Sequence, residues 1–205
     1  MEYPNLSNSL FEFLQLKEKQ LHSRLNSGRL SKTKITILVE ELIEYPELVG
    51  ALINEIHIED KAGTFNASWV FDHLMRKKLV YLLPFIEEFT SRLDNLTSES
   101  CIRPMAHVCE MLCESYFVNN DSIFKNSMKK NHLEYLVNAC FDWLIGEHKM
   151  AAKVFSMTSL LYLGEKFEWI HPELKMVLES TVPKGSAGYK NRGEKTLDKL
   201  ASLGH

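Results

Sequence analysis

Lys61–Leu93 reads KAGTFNASWVFDHLMRKKLVYLLPFIEEFTSRL, and its apolar residues recur at the threes and fours of amphipathic helices. The reading is a helical hairpin, two helices joined by a tight turn at Lys77–Lys78. The rest of the chain reads as looser copies of this hairpin or extensions of it.

Upstream, Leu6, Leu10, Phe13, Leu14, Leu21 and Leu25 mark a first helix, with Ser7 or Ser9 as cap and Gly28 as its stop. Ser31-Lys32-Thr33 caps a second helix carrying Ile35, Leu38, Val39, Leu42 and Ile43. Tyr45–Pro46 ends it, because the residue before proline resists the α region. A short helix runs from Glu47 to Ile56. Downstream, Thr97–Ser100 supplies caps for a helix through Ile102, Met105, Val108, Cys109, Leu112 and Cys113, with Pro104 expected in or near its first turn. Residues 117–130 are the least periodic and read as a loop with a short helical turn. Helices follow over Leu133–Ile145, Met150–Phe167, Pro172–Val182 and Tyr189–Leu203, the last capped by Ser186. No strand alternation of any length occurs, so the expected class is all-α.

With 205 residues, of which 45% are hydrophobic and 25% charged, the chain can bury a core as one domain. A net charge of −3 gives no global attraction to phosphate, which disfavours a non-specific nucleic-acid binder. MEYPNLSNSLFEFL lacks the basic and apolar regions of a secretory signal, and no apolar run approaches the ~20 residues of a membrane span. Cys101, Cys109, Cys113 and Cys140 sit inside apolar helical patterns, as small core residues in a reducing cytoplasm would. No pattern asks for a cofactor or a metal; Cys109 and Cys113 share a helical face without the further ligands a zinc site needs.

The helices pair, and the pairs look related. Ala67, Ala106, Ser156 and Gly193 recur at a similar point in the first helix of each unit, roughly 37 to 50 residues apart, the range of HEAT and armadillo repeats. Tyr45-Pro46-Glu47-Leu48, Leu83-Pro84-Phe85 and His171-Pro172-Glu173-Leu174 open second helices with similar phrases. A pair this short cannot bury its apolar face alone, so the expected architecture is a right-handed α-solenoid of about five helix pairs. It would span residues 1–205, with 1–30 and 186–205 as caps and 31–185 as repeats.

Phe141–Ile145, Val154–Met157, Trp169–Lys175 and Ser186–Gly193 resemble a family of small bacterial HEAT-like α-solenoid proteins, over roughly residues 60–203. That resemblance implies a fold and no activity. A more distant similarity is to HEAT-like DNA glycosylases for alkylated bases, which implies an aromatic and acidic cleft on the concave face.

Arg103, Lys153 and Lys190 each lie three residues before a recurring small residue. Stacked units would align them as a basic ladder, a cradle for an acidic peptide or phosphate backbone. Lys184–Lys199, which includes Arg192, strengthens it with five cations against two acids. Trp69 and Asp72 share a helix face, as a flipped-base cleft would need, although Asp72–Arg76 also reads as ordinary surface pairing. Arg103, His107, Glu110 and Glu114 form a polar stripe with acid–base residue types, expected to face water opposite Met105, Cys109 and Leu112.

Gly185–Asn191 echoes the flexible-loop signature of the fumarase, aspartase and adenylosuccinate lyase superfamily, but the Met and the spacing of that signature are missing, and a lyase is set aside. The expected function is therefore a non-enzymatic scaffold that binds a protein partner on its concave face, away from membranes, with DNA binding or alkylated-base repair as the alternative. The acidic pairs Glu40–Glu41 and Glu87–Glu88 would interrupt a groove for DNA.

Overall fold

The computed structural model describes residues 5–58 and 61–205. Among them every regular element is helical and no strand occurs. The α-helices are α1 (Asn5–Leu25), α2 (Lys32–Glu44), α3 (Val49–Ile56), α4 (Lys61–Lys78), α5 (Ile86–Ser91), α6 (Glu99–Cys113), α7 (Ser122–Ser127), α8 (Lys130–Ile145), α9 (Met150–Leu163), α10 (Ile170–Thr181) and α11 (Ala187–Ser202). No helix among the described residues is long and apolar enough to cross a membrane.

The opening hairpin is corrected in its second half. Lys61–Lys78 is one helix, but Leu79–Phe85 winds as a 3₁₀ helix containing Pro84, and only Ile86–Ser91 returns to α geometry. Pro84 supplies no N–H and crowds the preceding turn, which disfavours α geometry over this stretch. The chain groups into two compact units, Met1–Tyr81 and Leu82–His205. The boundary falls inside that 3₁₀ stretch, so α4 and α5 belong to different units.

In the first unit, α4 packs against α1, α2 and α3. Leu21 and Leu25 of α1, Leu38 and Leu42 of α2, and Phe71 and Leu74 of α4 are buried. Ser31 caps α2 by accepting from the Lys34 amide at 3.3 Å, and Tyr45 leaves helical geometry before Pro46. Ser7 and Ser9 fall inside α1, with side chains outside the described residues. Gly28 takes a φ of +100° after α1, a left-handed turn that glycine enters without steric cost. That turn is held by Asn66, a fully buried α4 residue. Its Nδ2 donates to the Leu25 carbonyl at 2.7 Å and the Gly28 carbonyl at 2.8 Å, and its Oδ1 accepts from the Leu30 amide at 3.1 Å. His22 of α1 meets Glu55 of α3 at 2.7 Å. The cleft between α1 and α2, lined by Lys17, Arg24, Glu41 and Tyr45, has a volume of about 30 Å³, room for a water or two.

In the second unit, α9 packs against α6, α8, α10 and α11. MAAKVFSMTSLLYL carries a single charge, Lys153, so it offers no wide polar face and is enclosed. Ala152, Ser156, Met157, Thr158, Ser159, Leu160 and Leu163 are all buried. Around it, α8 packs on α5 and α6, and α10 packs on α11. Gly164 ends α9 under the His171 ring, where an added Cβ would stand 2.0 Å from His171 Cδ2; His171 Nε2 donates to the Leu161 carbonyl at 2.9 Å.

Three boundaries shift. Pro104 is the sixth residue of α6, beyond its first turn. Pro172 is the third residue of α10. The region read as a loop with a short helical turn holds that turn as α7, capped by Asp121 accepting from the Ile123 amide at 2.9 Å, and a π-helical turn over Glu114–Val118 runs into the region's start. Asn120, at φ 51°, makes the reversal between them, a conformation that asparagine adopts more readily than most residues.

Asn66→Ala strands a buried amide and two carbonyls, and should cost about 2–3 kcal/mol in urea denaturation followed by circular dichroism. Gly164→Ala should cost about 1–3 kcal/mol by forcing Cβ into the His171 ring. An unchanged midpoint for either variant would contradict the packing described.

Candidate partner-binding face

The candidate residues divide between the units. Trp69 and Asp72 lie on α4 of the first, whereas Arg103 (α6), Lys153 (α9), Lys190 and Arg192 (α11) lie in the second.

On α4, Trp69 is half-buried, with its ring 6.1 Å from Phe65 and 5.9 Å from His73. His73 Nδ1 donates to the Trp69 carbonyl at 2.8 Å. Asp72 is not a surface carboxylate as its pairing with Arg76 suggested: the residue is 1% exposed, and Arg76 reaches in to it at 2.8 Å. A carboxylate so buried needs its cation, because desolvation without a partner costs several kcal/mol.

In the second unit, α9 lies against both α6 and α11, so the three helices that carry the basic positions are neighbours in the order α6, α9, α11. The small residues that set the register are buried: Ala106, Ser156 and Gly193. At Gly193 an added Cβ would stand 2.3 Å from Val182 Cγ2. Arg103 is exposed, and Lys153 and Lys190 are half-buried.

The polar stripe of α6 is also corrected. Instead of facing water throughout, its middle packs on α9 and α11. The His107 ring lies 4.7 Å from that of Phe155. Glu110, with 15% of its side chain exposed, accepts from Arg192 Nη1 at 3.0 Å. The same Nη1 donates to Thr158 Oγ1 at 2.7 Å, and the Thr158 hydroxyl donates in turn to the Val154 carbonyl at 3.2 Å. Arg192 thus ties α11 to α6 and α9, and its role is structural before it is anything else. Burial pushes the Tyr162 hydroxyl above its ordinary range, and the nearby Glu114 and Glu110 push the same way against Arg192. Sequence reading missed Thr158 and Tyr162; a threonine within a helix that has no polar face was the available signal.

The acidic pairs expected to interrupt a basic groove are spent on bridges between and within helices. Glu40 and Glu41 of α2 pair with Lys77 of α4 and Arg24 of α1. Glu88 pairs with Arg92 at 2.9 Å. Glu87 of α5 accepts from His132 Nε2 at 2.7 Å and from Asn131 Nδ2 at 2.8 Å. The Lys129 amide donates to His132 Nδ1 at 3.1 Å, which leaves the ring proton on Nε2 for the carboxylate. Hydrogen bonds from His132 and Asn131 hold the Glu87 carboxyl below its ordinary range. Glu99 accepts from His148 and from the Lys149 amide, the latter at 2.9 Å. Burial pushes Glu99 up, but those two hydrogen bonds outweigh it and leave the carboxyl below its usual range.

The four cysteines are buried and in no disulfide, with burial and neighbouring thiols pushing Cys109 and Cys113 well above the ordinary thiol range. No group of His, Cys, Asp and Glu among the described residues is set to hold a metal ion. Gly185–Asn191 leads into α11, with Ser186 at its N-cap position and the Tyr189 hydroxyl 2.8 Å from Thr181 Oγ1. Comparison with known proteins gives no matching family model, no curated protein and no solved structure at a significant level.

Two measurements check this geometry. A double-mutant cycle over Glu110→Gln and Arg192→Gln should give a coupling of about 1 kcal/mol, and additive single effects would remove the bridge. Glu99, with its folded pKa depressed, contributes stability above the ordinary glutamate pKa of about 4.3, and that contribution disappears as pH falls through the lower folded value. Glu99→Gln should therefore be less stable than the parent at pH 7, with the gap closing at pH 3; a gap independent of pH would contradict the assignment.

Proposed function

We propose that the chain is a non-enzymatic, HEAT-like scaffold that engages an acidic segment of a partner protein across α6, α9 and α11. The observation that carries this reading is the adjacency of those three helices, each with a cation three residues before a buried small residue. In the solenoid reading, α6, α9 and α11 form one layer and α5, α8 and α10 the other; α8 packing on both α5 and α9, and α10 on both α9 and α11, supports that layering. Arg103, Lys153 and Lys190 are then the partner-facing set, with Arg192 holding the helices that present them. Four buried cysteines outside any disulfide suit a reducing compartment such as the cytoplasm.

Alkylated-base repair is the weaker reading. A base-flipping cleft needs a carboxylate that a nucleotide can approach, and the burial of Asp72 under Arg76 does not favour it. The lyase reading stays set aside, since the segment that suggested it is explained as a helix start.

Replacing Arg103, Lys153 and Lys190 together by Glu reverses the charge of the face without touching the core. The variant should keep its circular dichroism spectrum and lose at least tenfold in affinity for an acidic probe, an octaglutamate peptide, at low salt. Equal binding by parent and variant, or no binding by the parent, would refute the basic face.

A further inference from the structure

The α8 and α10 side of the second unit carries a surface that the proposed basic face does not use. Phe141 and Ile145 stand one turn apart on α8, and Trp169, at the start of α10, stacks on the Phe141 ring with centroids 5.6 Å apart and planes at 15°. Trp169 keeps 54% of its surface exposed, Ile145 63%, and Met176, two turns along α10 from Trp169, 59%. An aromatic pair with an isoleucine and a methionine, all near water, is more apolar surface than scattered exposed side chains require. The same helices bury their other faces in Trp143, Leu144, Leu174 and Leu178, so core packing does not account for the outer set.

Exposed acids flank the stacked pair. Asp142 follows Phe141, Glu168 precedes Trp169, and Glu173 lies one turn beyond it; all three are exposed, and none has a cationic partner among the described residues. Of the nearby cations, Lys175 is paired with Glu179 at 4.0 Å, while Lys166, in the turn before Trp169, and Lys149, one turn past Ile145, are exposed. Asp94 adds to the excess. Burial pushes its carboxyl above the ordinary range, and Asp142 pushes it further, so an incoming cation would relieve a repulsion already present in the free protein.

We propose that the Phe141–Ile145–Trp169–Met176 surface docks a basic, arginine-bearing segment of a partner protein, with a guanidinium laid on the Trp169 ring and neighbouring cations paired to Asp142, Glu168 and Glu173. Arginine fits better than lysine because its planar, weakly hydrated head stacks on an indole face, whereas an ammonium is a compact, strongly hydrated charge. The surface is independent of the basic face on α6, α9 and α11, and the two would select segments of opposite charge.

The test is calorimetric titration of the full chain with a nonaarginine peptide and a nonalysine peptide at low salt. The arginine peptide should bind at least threefold more tightly than the lysine peptide. Trp169→Ala leaves the net charge unchanged and should weaken the arginine peptide by about threefold to thirtyfold, the span of one cation–π contact, while Trp169→Phe retains most of the affinity. Neutralising the acids with Asp142→Asn, Glu168→Gln and Glu173→Gln should weaken both peptides. Binding that survives Trp169→Ala undiminished, equal affinity for the two peptides, or no binding of the arginine peptide would each overturn the proposal; unchanged circular dichroism of every variant shows that folding is not the cause.

Discussion

A helix enclosed by four others must do without a polar face, and α9 meets that demand almost completely. Its neighbours α6, α8, α10 and α11 bury most of it, leaving Lys153 half-buried and Met150 exposed at its start. Close approach of helix backbones at 8–10 Å requires small side chains where the axes pass nearest. The buried Ala152, Ser156 and Ser159 of α9 and Ala106 of α6 supply them. Ser156, fully buried, leaves its hydroxyl without a hydrogen-bond partner among the described residues, a cost of about 1–3 kcal/mol.

Polar groups then fix which helix sits beside which. Hydrophobic burial is not directional, whereas a carboxylate with two donors is. Glu87 joins α5 to α8, Glu99 joins α6 to the start of α9, and Arg192 joins α11 to α6 and α9. In the first unit Asn66 does the same for the turn after α1. These are partners 34 to 82 residues apart in the chain, and they consume acids that otherwise would compete with a basic surface. Lys153 and Lys190 stay half-buried on α9 and α11, and Asp142, Glu168 and Glu173 stay exposed around Trp169.

The all-α class, the Tyr45–Pro46 break and the Ser31 cap were legible in the chain because each depends on local chemistry: periodicity, the steric bulk of a proline ring, a hydroxyl beside an orphan amide. What was illegible depends on distant pairing. Asp72 and Arg76 are four residues apart and read as surface stapling, yet the aspartate is buried, which only tertiary packing decides. Glu110 looked solvated until Arg192, distant in sequence, was placed against it. The 3₁₀ winding of Leu79–Phe85 sits between these cases: Pro84 read as part of a second helix's opening, but where the chain divides into units depends on contacts that no local pattern records.

The claim that carries the account is that α9 has no room at Ser156. Unfolding free energies of Ser156→Ala and Ser156→Leu, measured side by side in urea, test it most directly. Close packing predicts that Ala is neutral or slightly stabilising, since it removes an unpartnered buried hydroxyl, and that Leu costs about 2–3 kcal/mol or more through overpacking. A leucine accepted without loss of stability would mean that α9 is not closely enclosed, and the alignment of the basic positions beside it would lose its structural basis.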